Sequence, residues 1–136
     1  MSSNWVSDLN TMHSKYGFNE AVANFDEEKL RKLLEFRTKF IEEELNELKN
    51  AKTSSDVIDA LIDICVVAIG TLDIFDVPGQ IPWEKVFKAN MSKKVGIKES
   101  RPNPLGLPDL IKPDGWKAPD HSTFDHGLLE KIFENK

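Results

Sequence analysis

The sequence has little of what a stapled, exported or membrane-bound protein needs. Of its 136 residues a single one is cysteine, Cys65. One thiol supplies no intramolecular disulfide, which fits a reducing compartment. None is needed, because a chain of this length buries roughly two-thirds of its unfolded surface on folding. Long apolar runs are also missing. The longest stretch without a charge, Ile64 to Leu72, is nine residues, against about 20 for a spanning helix. The first residues, MSSNWVSDLNTMHSKYG, show no basic region followed by an apolar run, so no secretory signal is expected. A basic excess is absent too: 18 Lys and Arg stand against 23 Asp and Glu, a net charge of −5. That balance argues against a general nucleic-acid or anionic-membrane binder. It leaves room for a small phosphate ligand, since metal ions reverse local charge. The expectation is a soluble, intracellular protein.

What is present is helical periodicity, with no convincing strand. A first helix is expected over about Asn4 to Tyr16, ended by Gly17. A second runs from about Glu27 to Asn50, with Asp26 as N-cap and Leu30, Leu34, Ile41, Leu45 and Leu48 as an apolar stripe. Lys52 to Ser55 form a short linker. A third helix runs from about Asp56 to Phe75, and Pro78-Gly79 mark a turn. A fourth starts near Pro82 and reaches about Lys94. Five of seven prolines (Pro102, Pro104, Pro108, Pro113 and Pro119) then fall in one stretch. Residues 95–123 therefore read as an extended segment. Its Leu105, Leu107, Leu110, Ile111 and Trp116 make it too apolar for a free linker, and it is expected to lie across a surface. Residues 124–136 hold a short last helix, about Asp125 to Glu134. The whole, 1–136, reads as one all-α domain.

The third helix carries the strongest chemical signal. Asp56, Asp59 and Asp63 fall within an arc of about 60° on a helical wheel, while nearly everything else from Val57 to Ile69 is apolar. A helix apolar all round is expected to be buried. Ionised carboxylates there need a positive partner, a Lys, an Arg or a metal ion. Asp56 has a second reading, as a helix-start carboxylate three residues after Thr53. Asp59 and Asp63 lie deeper, and stand either in a functional site or in a structural ion pair. The second helix supplies Glu43, Glu44 and Glu47 beside its apolar stripe. Alone, such a run is a solvated face. A short linker packs the two helices antiparallel, and the acids then converge. Carboxylates without His or Cys suit Mg²⁺ or Mn²⁺. A di-iron bundle of the Glu-x-x-His kind is disfavoured, because none of the three histidines follows a Glu by three.

These residues resemble a known family. Glu43-Glu44-x-x-Glu47, followed by acids early in a buried helix, is similar to the EExxE…ExxD signature of the MazG-like all-α nucleoside triphosphate pyrophosphohydrolases. Trp5 to Gly17 resembles the N-terminal helix of phage-type members. Arg37 to Ala51 resembles their first metal-binding helix, and Asp59-Ala-Leu-Ile-Asp63 with Gly70-Thr71 resembles the second. Ala89-Asn90-Met91-Ser92-Lys93-Lys94 matches their Asn-x-Ser-Lys element. The likeness covers about residues 5–120. One departure stands out: where the signature places a Glu three before Asp63, this chain has Ala60. Either Asp59 substitutes, or Asp56 and Asp59 form a shortened ExxD.

The resemblance implies a four-helix-bundle-like fold with an extended Pro-rich segment and a short last helix. It implies hydrolysis of a nucleoside triphosphate, (d)GTP being the first choice, to the monophosphate and pyrophosphate. Two or three Mg²⁺ or Mn²⁺ ions would sit on Glu43, Glu44, Glu47, Asp59 and Asp63, with Glu44, Glu47 and Asp63 as the first-choice ligands, Asp59 as a further ligand, Glu43 as ligand or base, and Glu43, Glu44 and Glu47 as the catalytic set. Asn90, Lys93 and Lys94 would bind the nucleotide. The partners implied are the nucleotide and a second or further copies of the chain, a homodimer or homotetramer, with no nucleic acid and no membrane. The location implied is cytoplasmic, the host's cytoplasm for a phage-encoded chain. Simpler readings accompany several residues: Lys93 and Lys94 as charges at a helix end, Asn90 as a helix-end polar group, His13 as a structural histidine, Trp116 as packing. Against the enzyme stands a non-catalytic helical oligomerisation module, whose ten charges from Arg31 to Lys49 would form an ion-pair network.

Overall fold

The computed structural model describes residues 4–101 and 105–133. Pro102, Pro104 and Glu134, and the first three residues, lie outside them. The described chain is mainly helical, with helices α1 (Trp5–Lys15), α2 (Phe18–Ala23), α3 (Glu27–Lys49), α4 (Ser54–Ile74) and α5 (Gln80–Met91) and two short strands, β1 (Lys94–Gly96) and β2 (Asp109–Ile111). It is an all-α fold, as the helical periodicity implies.

Each main helix begins where a side chain caps it. Asn4 accepts from the Ser7 amide, Asp26 from Lys29, and Thr53 from Asp56 at 3.0 Å. These bonds satisfy amides that lack a carbonyl partner in the first turn. Gly17, at φ 73°, ends α1 and opens α2. The α2 turn escapes periodicity because six residues are too few to show it.

The chain divides into two compact units. Met1–Gly79 and Asp125–Lys136 form the first. Its core is built from Leu9, Val22, Leu30, Ala60, Val67, Ile74, Phe75, Val77 and Ile132. α4 packs on α3 and on α1. The pairing of α3 with α4 is antiparallel: Arg37 meets Val67 and Thr71, whereas Glu44 and Glu47, further along α3, meet the earlier Asp63. The last described residues return to α4. The Leu128 amide donates to the Phe75 carbonyl at 2.7 Å, and Arg31 donates to the Ile132 carbonyl at 2.9 Å. That segment holds the short last helix expected over about Asp125 to Glu134. It is a 3-10 helix, Gly127–Lys131, started by Gly127 at φ 59°. A Cβ at Gly127 would collide with the Phe75 and Asp76 carbonyls, so the docking itself requires glycine.

The second unit is Gln80–Phe124. α5 starts at Gln80, with Pro82 in its first turn, and stops at Met91. β1 and β2 then pair antiparallel, Val95 opposite Leu110, which corrects the strandless reading. Three residues per strand lie below the length at which alternation is recognisable. The pairing is held from outside the ladder, where one Arg101 guanidinium nitrogen bonds both Asp109 oxygens at 2.8 and 2.9 Å. The Trp116 indole N–H donates to the Ala89 carbonyl at 2.9 Å and fixes the Pro-rich segment to α5.

The expectation that α4 is buried all round fails over its first half. Val57, Ile58, Leu61 and Ile62 are exposed, Ile58 at 63 %. α3 covers one side of α4, the side of Ala60, Val67 and Ile74, and among the described residues of this unit nothing covers the opposite side there. No helix of the described residues is long and apolar enough to cross a membrane.

Candidate metal centre

Three carboxylates converge between α3 and α4. Oxygens of Glu44, Glu47 and Asp63 all lie within 4.8 Å of one another. Helix geometry explains why these three meet. On α3, Glu44 falls at the edge of the arc of Leu30, Leu34, Ile41 and Leu48; Glu47 stands about 60° further round, and Glu43 about 100°. Burial follows that order: Glu44 is 8 % exposed, while Glu47 and Glu43 are exposed. On α4, Asp63 shares the side of Ala60 and Val67 and is half-buried. Asp59 stands just off that side and is exposed.

The cluster has no cation among the described residues. None of the ion pairs reaches Glu44, Glu47 or Asp63. Glu44 Oε2 is buried and has no hydrogen-bond partner among the described residues. Burial, then the charge and hydrogen bond of Glu47, then the charges of Asp63 and Glu43 push the Glu44 carboxyl above its ordinary range. Burial, then Asp59 and Glu47, push Asp63 up. A buried, unpaired acceptor among like charges is costly, and a hard divalent cation is the group whose chemistry relieves it. The donor set fits Mg²⁺ or Mn²⁺: oxygens alone, no thiol or imidazole.

The other candidates are placed as follows. Glu43 and Asp59 stay outside the close triad, although their charges act on Glu44 and Asp63. Asp56 takes the capping reading, with its amide on Thr53 Oγ1 and its carboxylate accepting from the Lys52 amide at 3.3 Å. In the second unit, Asn90 is exposed near the end of α5 and its carbonyl accepts from the Lys93 amide. Lys93 Nζ stands 5.1 Å from the Trp116 ring centroid, and Lys94 opens β1 opposite Ile111. His13 is a core histidine, 2 % exposed, its Nδ1 2.7 Å from Asp73 Oδ2. Asn10 and Asn19 donate to the same carboxylate.

Residues 16–90 match the phosphoribosyl-ATP pyrophosphohydrolase family model. More than half of the chain lies in the match, and the match holds the whole triad, Glu43 and Asp59. The chain belongs to this family. Its members are pyrophosphohydrolases of the all-α MazG-like superfamily, so nucleotide pyrophosphohydrolysis is the activity class of this chain. Asn90 is the last matched residue; Lys93, Lys94 and Trp116 lie beyond it. No curated protein and no solved structure matches the chain.

Two charged residues that shape this region escape the sequence reading. Arg37 borders the apolar arc of α3, about 20° from Leu30 and Leu48 on the helical wheel, and that position was its signal. Asp73 has a fainter one, an acid enclosed by Leu72, Ile74 and Phe75.

Proposed function

We propose that the chain hydrolyses a nucleoside triphosphate to the monophosphate and pyrophosphate, with Mg²⁺ or Mn²⁺ held by Glu44, Glu47 and Asp63. The observation that carries this reading is the buried, unpartnered Glu44 oxygen inside a three-carboxylate cluster. Family membership supports the reaction class. A divalent ion there would offset phosphate charge and lower the pKa of a bound water. The side chains have separate tasks. Glu44 and Asp63, anchored in facing helices, bind; exposed Glu43, and Asp59 at the rim, are free to take further ions or to accept a proton from water. Asn90, Lys93 and Lys94 are the candidates for phosphate oxygens, the lysines as point charges. The Trp5–Gly17 and Asn-x-Ser-Lys likenesses support a phage-type member.

The chain assembles as a homodimer or homotetramer in this reading. The uncovered apolar side of α4, Val57, Ile58, Leu61 and Ile62, supports it, since a self-complementary strip of this kind closes on a two-fold axis.

The base is assigned to a purine, with dGTP and GTP first. The family match favours a second substrate of the same bond type, phosphoribosyl-ATP. Pyrophosphate release is to be followed with each common NTP and dNTP and with phosphoribosyl-ATP, with Mg²⁺, Mn²⁺ or chelator. Metal-dependent release from a (d)NTP is expected. Release from phosphoribosyl-ATP alone would replace the substrate. Release from none would leave the oligomerisation module standing.

A further inference from the structure

Arg37 is half-buried, and no carboxylate pairs with it among the described residues. Its hydrogen-bond partners among the described residues are all neutral and all on α4. Nε donates to Thr71 Oγ1 at 3.0 Å and Nη2 donates to the Val67 carbonyl at 3.1 Å. The Thr71 hydroxyl donates to that same carbonyl at 2.7 Å. These three bonds close a ring. The Phe40 ring lies 5.5 Å from the guanidinium carbon. The opposite wall is Gly70, where a Cβ would stand 2.9 Å from Arg37 Nη2 and 3.3 Å from His13 Cε1. A glycine here, inside a buried helix, admits the guanidinium between α1, α3 and α4.

The ring stands in register with the acid cluster. Arg37 is two turns before Glu44 on α3, and Val67 is one turn after Asp63 on α4. Both offsets lead along the same antiparallel groove, about 10 Å for seven residues of α3. The cluster itself repels: its three carboxylates have no cation of their own. Something else must hold the two helices at the separation and axial register that bring Glu44 to Asp63. A slip of one residue is about 1.5 Å, and a 1 Å error at a reacting centre costs about 10²-fold.

We infer that Arg37 is a positioning residue for the carboxylate centre, its guanidinium fork on Val67 and Thr71 setting the register of α3 against α4. The inference rests on the metal-site reading above. Geometry, rather than charge, is the active property. Arg37→Lys keeps the charge and loses the fork, and Thr71→Val keeps Arg37 and removes the hydroxyl that closes the ring.

The test is a calorimetric Mn²⁺ titration of the folded wild type, Arg37→Lys, Thr71→Val and the double variant at 10 °C, with kcat and KM measured alongside. Both single variants should bind Mn²⁺ about 10-fold more weakly, the range for groups that orient metal ligands. They should lose kcat more than they raise KM. The double variant should be little worse than either, because the residues act as one ring. Variants that melt lower but bind Mn²⁺ and turn over as the wild type does would overturn the inference, reducing Arg37 to a packing role. So would a normal Arg37→Lys beside a defective charge-free Arg37→Met, which would make the effect electrostatic. If Arg37→Lys fails to fold, Thr71→Val, a near-isosteric change, decides alone. A wild type that binds no Mn²⁺ would contradict the metal-site reading itself.

Discussion

Glu44 shows how a single residue position decides burial and chemistry together. Three glutamates stand within five residues, yet one faces the core edge and loses its water. Its neighbours Glu47 and Glu43 do not. The run Glu42 to Glu47 is compatible with a solvated face, and only the convergence with Asp63 separates the two meanings. Because the folded carboxyl is pushed up, the native state binds more protons than the unfolded chain between the ordinary carboxylate pKa and the raised one. Metal-free stability therefore falls as pH rises through that window. Glu44→Gln should raise the metal-free melting temperature at pH 7.5, with the gain shrinking toward pH 5 as the wild-type carboxyl takes up protons. The same variant should lose the stabilisation that Mn²⁺ gives the wild type, about 2.7 kcal/mol at 100 times Kd. Melting curves at both pH values with and without Mn²⁺ check this, and a Glu44→Gln variant that melts below the wild type without metal would contradict it.

At the scale of elements, the long helices were legible in the sequence almost to the residue. Asp26 caps where a cap was read, α4 starts after its Thr53 cap, at Ser54, two residues before the expected Asp56, and the apolar stripe of α3 faces α4. The short elements were not. β1 and β2 carry no period and α2 is a single turn and a half; the short last helix was read, but not its 3-10 form, which Gly127 opens against the α4 carboxyl end. From the residues alone the candidate site was legible as a set of acids, because spacing does not give the packing angle of α3 on α4; the family resemblance put Glu44, Glu47 and Asp63 first, the three whose oxygens converge. The reading of α4 as buried failed because all-round apolarity does not say which sides of a helix its own chain covers; Val57, Ile58, Leu61 and Ile62 stay exposed. Ile58→Lys with Ile62→Lys should convert the assembly to monomer in analytical ultracentrifugation with helix content unchanged. A wild type that sediments as a monomer would remove the argument for a homo-oligomer.

For the whole molecule, the net charge of −5 proves to be a sum of unlike parts. Gln80–Phe124 holds eight Lys and Arg against five Asp and Glu, and the remainder holds ten against eighteen. The acid excess belongs to the helical unit with the carboxylate cluster. The basic excess belongs to the unit with Lys93 and Lys94. The central claim is that Glu44, Glu47 and Asp63 are where hydrolysis happens. Pyrophosphate release by Glu47→Gln, at saturating Mg²⁺ and the best nucleotide, tests it most directly. A loss of about 100-fold or more with an unchanged helical spectrum is the predicted result; turnover near that of the wild type would contradict the assignment.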